Sequence, residues 1–107
     1  MPYYLIQATY SAPAAAHMVQ HPQHREQALK KSCQALGGKL HEFFYSFGVF
    51  DALGIVELPD NKAAAAFSLS VEASGAVKQI ATTVLLTVDE AMDAMKQAQT
   101  DKYTPPT

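Results

Sequence analysis

A histidine, a tyrosine and a glutamate in otherwise apolar segments are the residues of this chain best suited to catalysis. His41 and Tyr45 lie in KLHEFFYSF, residues 39–47, and Glu57 lies in ALGIVEL, residues 52–58. A glutamate buried among apolar neighbours has a raised pKa and can exchange a proton near neutral pH. The three residues are therefore candidate catalytic groups. Alternatively, Glu57 is close to a strand end, where exposure to water would leave it an ordinary surface charge.

Aromatic residues at alternate positions could instead form a ligand-binding surface. If residues 39–47 form a strand, His41, Phe43 and Tyr45 lie on one of its faces. Tyr3, if its side chain faces the same way, would complete a pocket for an aromatic or apolar ligand. The competing interpretation is that these rings fill an interface between two copies of the chain, because an apolar sheet face must first be buried.

Three histidines precede these segments at spacings that suggest metal binding. His17, His21 and His24 are separated by four and three residues. On one continuous helix the three imidazoles would share a face and could bind zinc. Pro22 interrupts any such helix, and only Glu26 lies nearby as an acidic ligand, so solvated histidines are the alternative. We expect no metal and no cofactor, and these histidines are the candidate ligands if a metal is bound.

The segment Gly48-Val49-Phe50-Asp51 separates two apolar runs and predicts a hairpin turn. We assign this turn a structural role. Gly48 would adopt a positive φ, and Asp51 would accept hydrogen bonds from backbone N–H groups. Phe50 would fold its ring against an apolar neighbour. The alternative is that Asp51 acts as a general base.

The composition describes one small domain with little surface charge. The chain has 107 residues, of which 49% are hydrophobic and 17% are charged, and its net charge is −2. A charged fraction below the usual quarter indicates that a second copy covers part of the surface. The lysines and the arginine form no basic stripe, so we expect no nucleic-acid partner.

The ends of the chain and its single cysteine bear on where the protein resides. The N-terminal segment lacks the charged region and long apolar core of a signal peptide, and no apolar run reaches the roughly 18 residues of a membrane span. Cys33 is alone and cannot form an internal disulfide. We expect a cytoplasmic protein with no membrane partner. Residues 1–100 are expected to form a single domain, and residues 101–107 a flexible tail.

Hydrophobic patterning and helix-end signals predict four strands and four helices. The strands are marked by β-branched and aromatic runs, and the helices by cap residues, prolines and glycines. The predicted strands are Tyr3–Tyr10, Lys39–Phe47, Ala52–Leu58 and Ala76–Val88. The predicted helices are Ala14–Gln20, Pro22–Leu36, Asn61–Ser74 and Val88–Gln97.

Specific residues predict where the helices begin and end. Ser11 and Asp60 are suited to cap helix N-termini, and Thr87 with Glu90 has the spacing of a capping box. Glycine is common just beyond a helix C-terminus, where it can adopt a left-handed conformation. The glycines predicted to end helices are Gly37, Gly38 and Gly75.

The element order β-α-β-β-α-β, followed by a short helix, predicts a ferredoxin-like α+β fold. Two right-handed β-α-β crossovers give a four-stranded antiparallel sheet with the two main helices on one face. In the first three strands, neither alternating set of side chains is purely polar. The uncovered face, with its tyrosines, leucines and phenylalanines, is therefore expected to pair with a second copy in a homodimer or a higher homo-oligomer.

The order of motifs along the chain resembles the GYD-domain family, small bacterial proteins of the dimeric α+β barrel type. The family is named for a Gly-x-Tyr-Asp turn, which here reads Gly48-Val49-Phe50-Asp51, with phenylalanine at the tyrosine position. The segment IVELPDNKAAAA, residues 55–66, is similar to the family's IVEAPDDEAAA. LGGKL at residues 36–40 and the proline-led helix from Pro22 also fit. The resemblance covers residues 2–95 and implies the fold and its dimeric assembly, without a reaction.

The sequence supports two interpretations of function. The first is a non-catalytic oligomer, or one that binds a small apolar ligand at the sheet face. The second is a cofactor-free enzyme of the oxygenase or isomerase type that acts on an apolar substrate through His41, Tyr45 or Glu57. The sequence contains no nucleotide-binding loop, nucleophile elbow or Cys–His metal set. An enclosed pocket that touches a buried histidine or glutamate would favour the enzyme.

Overall fold

The structure, a computed structural model, describes all 107 residues and contains the eight elements that the sequence predicts. The strands are β1 (Tyr3–Tyr10), β2 (Lys39–Tyr45), β3 (Ala52–Glu57) and β4 (Val77–Leu85). The helices are α1 (Ala12–Gln20), α2 (Glu26–Ala35), α3 (Asn61–Ala73) and α4 (Val88–Ala98). The start of α2 is the only boundary that differs from its predicted position by more than three residues.

The predicted N-caps of three helices are present. The side chains of Ser11 and Asp60 each accept a hydrogen bond from the backbone N–H three residues further on, at 3.3 Å and 2.8 Å. At α4 the capping box is complete. Thr87 Oγ1 accepts from the N–H of Glu90 at 3.1 Å, and Glu90 Oε1 accepts from the N–H of Thr87 at 3.0 Å. These bonds satisfy N–H groups that have no partner inside the helix.

The four strands form one sheet in the order β2-β3-β1-β4, and every neighbouring pair is antiparallel. Two right-handed β-α-β units produce this order when the strands of one unit lie between those of the other. β1 and β3 are consequently the central strands, and β2 and β4 are the edges. The predicted α+β fold with a four-stranded antiparallel sheet is confirmed.

The core lies between one face of the sheet and the helices α2 and α3. Its buried residues are Tyr4, Ile6, Cys33, Val56, Leu58, Ala64 and Phe67. Ala64 belongs to the run of four alanines, whose small side chains let α3 approach the sheet. The Tyr4 hydroxyl donates a hydrogen bond of 2.7 Å to Asn61 Oδ1 at the start of α3, so the buried ring keeps a partner for its polar end. Burial raises the pKa of the Cys33 thiol, which makes it an inert core residue.

The opposite face of the sheet, called here the open face, has no helix over it. Side chains alternate along each strand, and the strand register places Leu5 of β1 beside Ile55 of β3 and Thr83 of β4 on this face. Its apolar residues are partly or largely exposed to solvent, in contrast to the buried residues of the core. They are Tyr3, Leu5, Phe44, Leu53, Ile55 and Leu85.

An irregularity at His41 changes which side chains of β2 lie on the open face. The pairing of β2 with β3 shifts between Leu40 and Glu42, so β2 carries one extra residue in the manner of a β-bulge. His41 lies on the open face, whereas Phe43 and Tyr45 turn to the side of the helices. The prediction that His41, Phe43 and Tyr45 share one face is therefore wrong, because a bulge reverses the alternation of the strand beyond it.

The helix α2 begins four residues later than predicted. Pro22 has the φ of a first helical residue, yet residues 22–24 lie outside regular structure and the helix starts at Glu26. The apolar face of α2 begins with Leu29 and continues to the buried Cys33. The residues before Glu26 have no large apolar side chain to bury against the sheet, so nothing offsets the conformational entropy lost by ordering them in a helix.

The helix α4 follows β4 and buries none of its residues. The chain has a radius of gyration of 17.0 Å and a longest dimension of 56 Å, whereas a compact domain of this length has a radius of about 13 Å. The apolar side chains of Val88, Met92 and Met95 on α4 are exposed, as is Leu86 just before it. None of the helices combines the length and the apolar character that a membrane crossing requires.

Two glycines adopt a positive φ, and both end a helix. Gly37 has a φ of 83° after α2, and Gly75 has a φ of 79° after α3, as the predicted helix stops require. Gly48 does not have a positive φ, so that part of the turn prediction is wrong. Residues 46–51 connect β2 to β3, and a connection of this length reverses the chain without a left-handed residue.

We expect Gly38→Ala to destabilise the protein strongly. An added Cβ would overlap the carbonyl oxygen of Glu57 and lie 2.7 Å from Leu58 Cδ2, so the strand β2 could not keep its position beside β3. The expected loss is about 2 kcal/mol or more, which thermal melting would detect.

Gly48→Ala is the matched control, because a Cβ at Gly48 meets no atom within 4 Å. It should change stability by less than about 1 kcal/mol, since alanine restricts mainly the unfolded chain. Equal melting temperatures for the two variants would contradict this account of the contact between β2 and β3.

Candidate functional site

A histidine–carboxylate pair lies on the open face. His41 Nε2 and Glu57 Oε1 are 2.8 Å apart, at facing ends of β2 and β3. The bulge at His41 makes this contact possible, because it turns the imidazole toward the face on which Glu57 lies. Tyr3 of β1 is opposite Glu57 in the register, and its ring centroid is 5.3 Å from that of His41. The structure thus brings together three of the candidate residues, Tyr3, His41 and Glu57.

The carboxylate of Glu57 has a hydrogen-bond partner in His41 and lies near the positive charges of the N-terminus and Lys39. Hydrogen bonding to His41 lowers the pKa of Glu57 below its ordinary value, and the charges of His41, the N-terminus and Lys39 act in the same direction. The Met1 amino group is 3.9 Å from Glu57 Oε2. The direction is opposite to the raised pKa that the sequence predicts for a buried Glu57, because neighbouring donors outweigh desolvation. Glu57 is therefore ionised at neutral pH and cannot donate a proton there.

In this pair the carboxylate of Glu57 can orient the imidazole of His41, an arrangement that suits general-base catalysis. If Nε2 of His41 carries the hydrogen that Glu57 accepts, Nδ1 has a free lone pair and can take a proton from another molecule. Glu57 holds the tautomer and stabilises the imidazolium that would form. The side chain of His41 is 36% exposed, so the pair is accessible from the open face in a single chain.

Tyr45 lies apart from this pair, on the helix side of the sheet. Its ring packs edge-on against Phe43 with centroids 5.1 Å apart. Tyr45 is also next to Tyr10 at the end of β1. Burial and the adjacent Tyr45 hydroxyl raise the pKa of Tyr10 to about 12, and the charge of Arg25 acts in the opposite direction. Of the four predicted ligand-binding residues, Tyr3 and His41 are on the open face, and Phe43 and Tyr45 are on the other.

A cavity of about 270 Å³ lies between the sheet and the helices α2 and α3. Of the 20 residues that line it, 15 are hydrophobic, so its walls are suited to an apolar molecule. The deep wall is formed by buried residues of the core, and the rim by exposed ones. The buried wall residues are Ile6, Ala52, Gly54, Val56 and Phe67.

The rim of the cavity carries the few polar groups in its lining. Arg25 precedes α2, and Tyr10 ends β1. Three serines, Ser32, Ser70 and Ser74, come from α2 and the end of α3. An apolar cavity with a small number of polar groups at one end is the usual form of a small-molecule site.

Sequence reasoning missed this cavity and its polar rim. Arg25 is the only arginine in the chain and Tyr10 is the last residue of a predicted strand. These two features of the sequence could have identified Arg25 and Tyr10 as candidate binding residues. Their presence in the lining of one cavity depends on how α2 crosses back over the sheet, and a single sequence does not specify that geometry.

The turn between β2 and β3 is bonded to the central strand β1. Asp51 Oδ2 accepts a hydrogen bond of 3.0 Å from the N–H of Tyr10, and the N–H of Asp51 donates to the carbonyl of Ala8 at 2.8 Å. The turn also closes on itself, because Ser46 Oγ donates to the carbonyl of Phe50 at 2.6 Å. The carboxylate therefore accepts from a backbone N–H, as predicted, but from a neighbouring strand rather than from its own turn.

The three histidines of the first crossover do not lie together on one helix face. His17 is in the last turn of α1 and His21 caps its C-terminus, and their ring centroids are 4.7 Å apart. His24 lies beyond the end of that helix. No group of three or more histidine, cysteine or acidic side chains in the chain is arranged to hold a metal ion. The interruption at Pro22 explains this, since it prevents the continuous helix that would align the three rings.

Residues 4–95 match the family model described as GYD domain. The chain belongs to the GYD-domain family. The matched range contains the turn at Gly48–Asp51, the pair of His41 and Glu57, and most of the lining of the cavity. No curated protein sequence matches the chain significantly.

Solved structures with similar folds support the architecture of this GYD domain. One is the crystal structure of FFRP-DM1, with 15% identity, coverage of 80% of this chain and 100% of that chain, and a TM-score of 0.52. The hypothetical protein PHS023 from Pyrococcus horikoshii has 15% identity, coverage of 81% of this chain and 92% of that chain, and a TM-score of 0.51. TTHA0845 from Thermus thermophilus has 16% identity, coverage of 82% of this chain and 96% of that chain, and a TM-score of 0.52. At these identities the similarity concerns the fold alone.

We expect Asp51→Ala to lower the stability of the GYD domain by about 1–2 kcal/mol, because the N–H of Tyr10 loses its acceptor. For a domain of this size the melting temperature should fall by roughly 4–10 °C. Asp51→Asn keeps an acceptor oxygen and should recover much of the loss.

Melting curves of the three proteins test this role. An Asp51→Ala variant that melts within a degree of the wild type would contradict it, and the alternative of a general base at Asp51 would then be preferred.

Proposed function

We propose that this GYD domain is a non-catalytic homodimer that binds a small apolar ligand. The observation that carries the proposal is the cavity between the sheet and the helices, with its predominantly hydrophobic lining and polar rim. The ligand position differs from the sheet-face pocket that the sequence suggests, because the bulge of β2 sends Phe43 to the cavity side and leaves His41 on the open face.

The size of the cavity limits the ligand to a small molecule. An apolar cavity of about 150 Å³ holds benzene, and sites for drug-sized ligands begin near 300 Å³. At about 270 Å³, the cavity suits a medium-length alkyl chain or a substituted aromatic ring. Such a molecule would contact the walls formed by Ile6, Val56 and Phe67, and its transfer from water would supply the binding free energy.

We expect octan-1-ol to raise the melting temperature of the protein in a saturable way. A ligand that binds only the folded state stabilises it by about 2.7 kcal/mol at 100 times its dissociation constant. Ala28 lies on the rim, so Ala28→Phe should fill the opening and abolish the shift.

Ala35→Phe is the matched control, because Ala35 is exposed on the same helix and does not line the cavity. It should keep the shift of the wild type. If octan-1-ol stabilises all three proteins equally, the cavity is not its binding site, and if it stabilises none of them, the cavity does not bind a neutral alkyl ligand of this size.

The homodimer part of the proposal rests on the open face and on α4. Four strands spaced about 4.8 Å apart, with roughly seven residues of about 3.3 Å each, cover a projected area of roughly 440 Å². A standard interface buries about 800 Å² of each partner. The open face alone is therefore small for a stable dimer, and a second contact surface is needed.

The exposed apolar side of α4 can supply that second surface. Met92 and Met95 are 48% and 66% exposed on a helix that buries nothing against its own chain. Methionine side chains are flexible and adapt to a partner's surface. A second copy that covers the open face would also shield His41 and Tyr3 from solvent.

We expect light scattering to give a mass of twice 11.6 kDa for the wild type at micromolar concentration. Ile55 lies at the centre of the open face, so Ile55→Glu should yield monomers by placing a charge in the interface. Ala66→Glu, on an exposed position of α3, is the control and should remain dimeric. A wild-type mass of one chain, or a dimer that survives Ile55→Glu, would contradict assembly through this face.

A second candidate function is a cofactor-free enzyme, and the pair of His41 and Glu57 is the observation that favours it. If Nε2 carries the hydrogen that the ionised Glu57 accepts, the imidazole presents Nδ1 as the atom that takes a proton. An apolar ketone could lose an α-proton to His41 and become an enolate. Return of the proton to the same carbon or to another would give exchange or isomerisation.

We expect any such activity to appear as deuterium uptake at the methyl group of acetophenone in D2O, followed by NMR. His41→Gln should slow the uptake by about 100-fold, the low end of general-base contributions. His24→Gln is the control, because His24 is exposed and distant in sequence from the pair. Uptake at the buffer rate with wild-type protein would exclude this function for ketones.

A further inference from the structure

We infer that the ligand of the cavity carries an acidic head group, such as the carboxylate of a medium-chain fatty acid or of an aryl-substituted acid, and that Arg25 binds this group at the rim. This inference rests on the proposed ligand-binding function and specifies its substrate class. The apolar part of the ligand would lie against the core wall, and the carboxylate would lie beside the guanidinium.

The side chain of Arg25 has no ion-pair or hydrogen-bond partner within the chain. Both ion pairs of the structure use the carboxylate of Glu57, so no acidic side chain of this chain pairs with Arg25. The guanidinium also makes no hydrogen bond within the chain. Arginine presents a planar set of N–H donors that matches a carboxylate. Arg25 is exposed to solvent at the rim of a mainly hydrophobic cavity, so its guanidinium is complementary to a ligand that joins an apolar chain to an anionic head group.

The Tyr10 hydroxyl is a second polar group at the same rim, next to the hydroxyl of Tyr45. The Tyr10 hydroxyl stays protonated at neutral pH, because burial and the neighbouring Tyr45 raise its pKa to about 12. Arg25 and Tyr10 both line the cavity, and the positive charge of Arg25 acts to lower the pKa of this hydroxyl. A carboxylate has two oxygens, so it can accept from the guanidinium and also from the phenol when that hydroxyl turns from Tyr45 to the ligand.

The carboxylate that acts on Tyr10 is held by another contact. Asp51 acts on the Tyr10 hydroxyl, but its Oδ2 accepts the backbone N–H of Tyr10 and the residue does not line the cavity. The rim serines are neutral. Arg25 is thus the only charged residue in the lining, so the cavity should prefer an anion to a neutral or a cationic molecule of the same shape.

A matched pair of probes tests the preference. Octanoate and octan-1-ol have the same chain length and differ in charge at neutral pH, so calorimetry with the wild-type protein compares a carboxylate with a hydroxyl directly. We expect octanoate to bind at least tenfold more tightly, as a charge-assisted hydrogen bond provides. Arg25→Gln should remove that advantage and leave the affinity for octan-1-ol unchanged.

Two further variants make the result specific. Lys30→Gln removes one positive charge from an exposed position of α2 outside the cavity, and it should bind both probes as the wild type does. Tyr10→Phe keeps the ring and removes the hydroxyl, so octanoate should weaken by a smaller factor than in Arg25→Gln.

The possible failures are distinguishable. If octan-1-ol binds as tightly as octanoate, or if Arg25→Gln and Lys30→Gln weaken octanoate equally, the cavity is a ligand site without recognition of an acid, and only this inference is overturned. If neither probe binds the wild type, both this inference and the proposed cavity function are wrong.

Discussion

The central strand β1 is the element on which the rest of the structure depends. It pairs with β3 on one side and with β4 on the other, and its alternate side chains separate the two faces of the sheet. Tyr4 and Ile6 belong to the buried core, whereas Leu5 faces the uncovered side. The end of β1 receives the carboxylate of Asp51, and its last residue, Tyr10, is in the rim of the cavity. Fold, turn and candidate binding site therefore share one strand.

The need to bury both faces of a four-stranded sheet explains the two main surfaces of the molecule. α2 and α3 cover one face, and they leave between themselves and the sheet a cavity lined mainly by apolar residues. Nothing in a single chain covers the other face, on which the pair of His41 and Glu57 lies. A ligand in the cavity and a second copy over the open face would remove both apolar surfaces from water. The burial of apolar surface is the main favourable contribution to the free energy of such binding and assembly.

The positions of the charged groups separate two kinds of chemistry. Glu57 is bonded to His41 and lies near the N-terminus, so its charge is already balanced within the open face. Arg25 has no such partner and lines the cavity. A histidine paired with a carboxylate is suited to proton transfer, whereas a cation without a partner in the chain is suited to bind an anionic ligand. The ligand cavity and the pair of His41 and Glu57 therefore lie on different faces of one sheet. A second copy and the substrate of an enzyme would, in contrast, compete for the open face.

The sequence by itself determined the elements, their order and the family. Caps such as Asp60 and Thr87 and stops such as Gly37 and Gly75 are local, because a cap bonds to groups three residues away. Only the tertiary structure decided on which face of the sheet each side chain of β2 lies and which distant residues line the cavity. The bulge at His41 depends on pairing with β3, and it reversed the face of Phe43 and Tyr45. The placement of Arg25 and Tyr10 in the lining of one cavity depends on the path of α2 over the sheet. Contacts between residues distant in sequence arise from packing of whole elements, and no local pattern in a single chain encodes them.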